Sequence, residues 1–172
     1  MSQSTFNLPA FSQIDPAQIE ATMTTLLNKN RKKLADLLAQ SQPFTWENLL
    51  SPLEDMSDEL SKTWSPISHL HSVNETEALR EAYNKVLPIL TEYHTEISQN
   101  RALYEAIDSL ANSPAFQQLD TAQRKIIEND LRDFKLSGIH LAAAEKAELA
   151  QLEQKLSQLM TKFSENLLDA TH

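Results

Sequence analysis

A single glycine, Gly138, stands in a chain of 172 residues, and that scarcity limits the architecture more than any motif does. Hairpin turns and bulges draw on glycine for backbone conformations that other residues resist. Phosphate-binding loops and dinucleotide folds need it in clusters. One glycine equips a chain poorly for either. Leu, Ala, Glu, Gln and Lys, all good helix formers, together make up close to half of the chain instead. The expected fold class is all-α: an antiparallel helical bundle-like domain with long, proline-kinked helices. With 41% of residues hydrophobic, one sizeable core in one domain is within reach.

Local chemistry marks the helix boundaries. Residues 1–14 read as an extended arm, since Pro9 disfavours helix and Phe6, Leu8, Phe11 and Ile14 can pin the arm into a groove. Residues 15–172 then form the helical domain. In "IDPAQI", Asp15 caps a helix, Pro16 takes its first position and Gln18 can complete a capping box, with Ile14 and Ile19 spaced as a hydrophobic staple. That helix is predicted to run to about Gln40, with an apolar stripe of Ile19, Met23, Leu26, Leu27, Leu34, Leu37 and Leu38. Its "NKNRKK" run reads as a solvated face. Thr45 caps a second helix reaching about Val73, which Pro52 and Pro66 should kink or restart. A third spans about Thr76 to Asn100, bent at Pro88. A shorter helix takes up Leu103, Ile107 and Leu110, and "ANSPAF" breaks the chain. The next helix is capped by Asp120 or Thr121, and Gly138 is placed to be its left-handed C-terminal cap. The last runs from about Ala142 to Ala170. Its Leu149, Leu152, Leu156, Leu159 and Phe163 follow a heptad seam that asks for a partner helix, expected to be found inside this domain.

Charge and cysteine content narrow the setting. The formal charge is -9, and a field of that sign disfavours nucleic acid and anionic membranes as partners. There is no cysteine, which removes disulfides and thiolate metal sites and fits a reducing compartment. "MSQSTFNLPAF" lacks the basic and apolar regions of a signal peptide, and no apolar run approaches the roughly 20 residues that span a bilayer. The expected location is cytoplasmic.

Candidate chemistry is sparse. "SPISHLHSV" sets His69 and His71 two apart. In a helix such residues point about 200° apart, too far round to grip one ion; ligands on a helix prefer a spacing of three or four. One packed or capping histidine and one exposed one is the reading. His71 and Glu75 have the spacing of four, but "VNET" between them reads as a helix boundary. The acids around His94 in "EYHTE" lie on the wrong faces. No E-x-x-H occurs, so a di-metal helical bundle lacks its signature, and no G-x-S-x-G elbow exists. Trp46, Trp64, Tyr83, Tyr93 and Tyr104 fall at helical spacing and read as core packing. The expectation is no catalytic, no cofactor-binding and no metal-ligating residue in this chain.

Five stretches, in order, nevertheless carry a resemblance: "LPAFSQIDPAQIE" at 8–20, "PFTWENLLSPLEDMSDELSKTWSPISHLHSV" at 43–73, "LREAYNKVLPILTEY" at 79–93, "LRDFKLSGIHL" at 131–141 and "FSENLLDAT" at 163–171. Together they resemble the N-terminal region of bacterial oligopeptidases in the thimet oligopeptidase family of zinc metallopeptidases. The resemblance implies a larger, mostly helical parent with two lobes around a deep channel, cleaving short peptides internally. It implies Zn2+ held by the histidines of H-E-x-x-H and a downstream glutamate, the motif glutamate activating the zinc-bound water. None of those residues has a counterpart here, so no role transfers to any position. His69 fits the family's run, whereas His71 looks like local variation.

By that resemblance the chain is expected to be a channel-wall, substrate-restricting region whose partners are short peptides and a catalytic lobe outside this sequence. Alone it is expected to be inactive and prone to self-association. The alternative is a free-standing helical interaction module that uses the terminal seam as its partner surface.

Overall fold

The structure, a computed structural model, describes residues 9–171. Six α-helices make up most of it: α1 (Pro16–Leu38), α2 (Ser51–Val73), α3 (Glu77–Ser98), α4 (Arg101–Ala111), α5 (Thr121–Leu136) and α6 (Ala143–Thr171). No strand occurs among the described residues, and the all-α expectation holds.

The starts are where side chains offer an acceptor to unpaired N–H groups. The Asp15 carboxylate accepts from the N–H of Ala17 at 3.0 Å, with Pro16 in the first turn of α1. Gln18 does not close the reciprocal bond expected of it; its N–H goes to the Asp15 carbonyl at 3.0 Å. Thr76 and Asn100 cap α3 and α4. Asp120 and Gln123 form a full capping box on α5. Gly138, with φ 79°, ends α5 as foreseen. Its N–H donates to the Lys135 carbonyl and that of Ile139 to the Phe134 carbonyl, the paired bonds of a Schellman stop. Ile139 and Phe134 are both buried beside it, which supplies the apolar contact such stops favour.

The prolines act unevenly. A π-helical turn, Trp46–Leu50, precedes α2, opened by a capping box between Thr45 and Asn48. Pro52 has no N–H to give the Asn48 carbonyl four residues back. The Gln40 carboxamide donates to that carbonyl instead, at 3.2 Å, and the wider turn absorbs the misfit. Pro66 and Pro88 neither restart nor break their helices, which run on through both.

Two adjoining hydrophobic clusters form the core. One joins α1, α2 and α3 through Met23, Leu27, Leu60, Ile67, Val86 and Leu90. The other gathers the end of α1, the π turn, α2, α4 and α5 around Leu49, Leu50, Ile107, Leu110 and Ile127. Ile97 of α3 packs against both, so the halves share one frame. The apolar stripes read from the sequence supply most of these positions.

Three expectations need correction. Phe11–Gln13 form a 3-10 turn and not extended chain; Ile14 packs on the first cluster, while Phe6 and Leu8 lie outside the described residues. The "NKNRKK" run is not uniformly solvated: Asn30 is 1% exposed. Asn30 follows Leu26 and precedes Leu34 by four residues each, so helix geometry puts it on the core stripe. Its neighbours bridge outward, Lys29 to Glu59 of α2 and Arg31 to Glu96 of α3, each at 2.7 Å. Finally, α6 does pack inside the domain, but Leu152, Leu156, Leu159 and Phe163 of its seam stay exposed, as described below.

Gly138→Ala is expected to destabilise the fold by about 1–2 kcal/mol, the cost of a left-handed residue bearing a Cβ. The added Cβ would also stand 2.5 Å from Leu141 Cδ1. Urea unfolding with unchanged slope and a lowered midpoint is the readout.

Candidate functional site

Helix α6 has two chemically different faces. One lies along α3 in antiparallel register and is polar. Thr95 donates to Glu153 at 2.6 Å, Thr91 to Ser157 at 3.1 Å, Asn84 to Glu165 at 2.8 Å, and Arg80 to Asp169 at 3.1 Å. Gln154 reaches the carbonyl of Pro88 at 2.9 Å. The other face is the heptad seam. Leu152, Leu156, Leu159, Met160, Phe163 and Leu167 are each between 55% and 71% exposed, and α6 contributes no buried residue. The period was legible, but most of the seam stays exposed, while Leu149 is half-buried beside the Gly138 turn. Polar side chains of α3 select the opposite edge.

Between α3, α5 and α6 lies a cleft of about 620 Å3, walled by Phe134, Leu156 and Met160 with Thr91, His94 and Asp130 among its polar groups. Burial, reinforced by the carboxylates of Glu54 and Asp133, pushes Asp130 up to about 6. Acid and imidazole line one cleft, beside the hydroxyls of Thr95, Ser98 and Ser157.

A second polar cluster sits where α2 turns into α3. His71, in the last turn of α2, is 5% exposed, and its ring stacks on Tyr83 at 3.9 Å. Its Nε2 lies 2.9 Å from Glu75 Oε1 and 3.6 Å from Glu165 Oε1 of α6. Arg80 holds Glu75 through Oε2, its Nε donating at 2.8 Å, and pairs with Asp169 as well. The Arg80 guanidinium is raised above its ordinary value by these hydrogen bonds, first to Asp169 and then to Glu75.

His69 takes no part. It is exposed and meets the ring of Phe11 at 5.6 Å, so the two histidines of "SPISHLHSV" face different neighbours. The His71–Glu75 spacing of four does bring its side chains together, because Asn74, as C-cap with φ -149° and ψ 56°, turns the chain and lets Glu75 fold back. The boundary that argued against the pair is what makes it. Glu165, 94 residues beyond His71, has no local signal that could have nominated it. No described helix is long and apolar enough to cross a membrane.

Two outcomes follow. Asp130 keeps its proton in the native state where the unfolded chain has released it. Its contribution to stability therefore falls as pH rises from about 3.8 to about 6. Asp130→Asn should leave stability near pH 3.5 little changed and raise it at pH 7, read by melts across that range. The exposed seam should drive concentration-dependent self-association, measurable by sedimentation, and Leu156→Lys with Phe163→Lys should abolish it without loss of helix.

Comparison with known proteins places this scaffold. The family model for the neurolysin/thimet oligopeptidase N-terminal domain matches residues 23–146. Oligopeptidase A of Escherichia coli K12 is 42% identical over 166 residues, covering 96% of this chain and 24% of that protein. Oligopeptidase A of Haemophilus influenzae is 44% identical over 164 residues, 95% of this chain and 24% of its own. A probable cytosolic oligopeptidase A of Arabidopsis thaliana is 33% identical over 166 residues, with 96% and 24% covered. The chain thus spans about a quarter of the length of these relatives. With the helical architecture and a match over most of its length, the chain belongs to the neurolysin/thimet oligopeptidase family, as its N-terminal domain.

Proposed function

We propose that this chain is the N-terminal, channel-wall region of a zinc-dependent oligopeptidase that cleaves internal bonds of short peptides, and that by itself it is inactive. The observation that carries the reading is the near-complete alignment of this chain with bacterial oligopeptidase A proteins about four times its length. The zinc site and its general base would lie in the remainder of such a protein, because no H-E-x-x-H occurs in these 172 residues.

The physical task of such a wall is steric. A rigid helical surface limits what enters a channel and keeps bulk water from the reacting peptide once the channel closes. The two joined clusters described above supply rigidity. The exposed apolar face of α6 supplies a surface suited to the catalytic lobe. A cytoplasmic location is part of the same proposal, supported by the absence of cysteine and by the cytosolic name of one plant relative.

One observation also favours a second reading. A long, unpaired leucine stripe suits a free-standing interaction module as well as a lobe interface. The intact mass of the protein from its source cells separates them: near 19.5 kDa supports the module, and about four times that supports the peptidase.

The catalytic test uses an internally quenched peptide of about ten residues, a length that a narrow channel admits. The 172-residue chain is expected to give no turnover with or without added Zn2+, while the longer protein turns it over and stops on chelation. Zinc-dependent turnover by the pure 172-residue chain would overturn the proposal.

A further inference from the structure

The cluster at the α2–α3 turn has the donors, the spacing and the charge of a cation site. We infer that His71, Glu75 and Glu165 bind one divalent transition-metal ion, Zn2+ by donor chemistry, which ties α6 to the α2–α3 turn. None of these residues belongs to the peptidase motif, so the inference stands apart from the catalytic reading.

Three observations carry it. The first is an unmet need. His71 Nε2 and Glu75 Oε1 are buried and make no hydrogen bond with any described group, although they lie 2.9 Å apart. Their orientation is not that of an N–H donating to a carboxylate. Buried polar atoms are rarely left so, and a shared ion satisfies both lone pairs at once.

The second is distance. One ligand atom from each residue lies within 4.8 Å of the others. Ligands about 2.1 Å from a zinc ion and separated by 90–120° stand about 3.0–3.6 Å apart. The imidazole lies 2.9 Å from one carboxylate and 3.6 Å from the other, so the two contacts that involve the nitrogen already fall at that scale. Imidazole with two carboxylates is a donor set that zinc accepts.

The third is charge and support. Glu75 and Glu165 bring two carboxylates to one imidazole, and Arg80 pairs with Glu75. Two carboxylates beside one imidazole form a donor set whose charge a divalent ion offsets. Lys162 lines the neighbouring cleft but is exposed. The outer groups fix the ligands as metal sites require. Arg80 occupies Glu75 Oε2 and leaves Oε1 turned to His71, Asn84 donates to Glu165 at 2.8 Å, and Tyr83 stacks on the imidazole. The ligating side chains are only 6%, 13% and 16% exposed, which suits a structural ion and not a hydrolytic one.

The test is calorimetric titration of the chelator-stripped 172-residue chain with ZnCl2 at pH 7.5, with MgCl2 as comparator, alongside melting curves. One Zn2+ per chain should bind, Mg2+ should not compete, and zinc should raise the melting temperature. Glu165→Gln and His71→Asn should each weaken zinc binding by at least about tenfold while circular dichroism shows the helices intact. Glu165 is on α6, outside the core, so its variant keeps the test meaningful if His71→Asn fails to fold. Absence of stoichiometric zinc uptake, or uptake undiminished in Glu165→Gln, would overturn the inference.

Discussion

Helix α3 serves neighbours of opposite chemistry, and the domain depends on its doing so. Leu79, Ala82, Val86, Leu90 and Tyr93 form its buried stripe against α1 and α2. Arg80, Asn84, Thr91 and Thr95 fall on an adjacent edge, spaced by four or by seven, and so share one line along the helix. That line meets a matching line on α6. Apolar burial holds the first contact, where each fully covered large side chain contributes roughly 1.5–3 kcal/mol. Hydrogen bonds and ion pairs hold the second, each of which is individually weak in water. The same helix thus builds a firm joint on one side and a soft one on the other.

Much of this was legible because it is local. Asp15 before Pro16, Thr76 before Glu77, Asp120 three residues ahead of Gln123, and the lone Gly138 each act on backbone groups within a few residues. Their consequences need no knowledge of the fold. The core stripes of α1 and α4 followed from period alone. What escaped depends on which faces meet. Asn30 sits on an apolar stripe, but residue type outweighed position in reading it. The leucines of α6 gave a correct period and a wrong neighbour, because Thr91, Thr95, Asn84 and Arg80 of α3 could not be paired with it in advance. The π turn required knowing that Gln40 would rescue the carbonyl that Pro52 abandons.

The candidate chemistry divides the same way. That His69 and His71 cannot act together follows from helix geometry, and the structure gives each a different aromatic neighbour. The grouping of His71, Glu75 and Glu165 arises from a chain reversal at Asn74 and from the arrival of a distant helix. Neither is written at either end of the pairing. Family membership, by contrast, was carried by runs of sequence and did not require any functional residue to be present, which is why a scaffold without a visible active site could still be placed.

The polar attachment of α6 has a mechanical corollary. Drawing the helix away from α3 mostly releases polar groups, which water rehydrates readily. Resistance to such a displacement is electrostatic, hence short in range and screened by salt. The domain is accordingly anisotropic: stiff across α1, α2 and α3, compliant along the α3–α6 line. An apolar surface mounted on the compliant element can shift to meet whatever it packs against while the frame behind it keeps its shape.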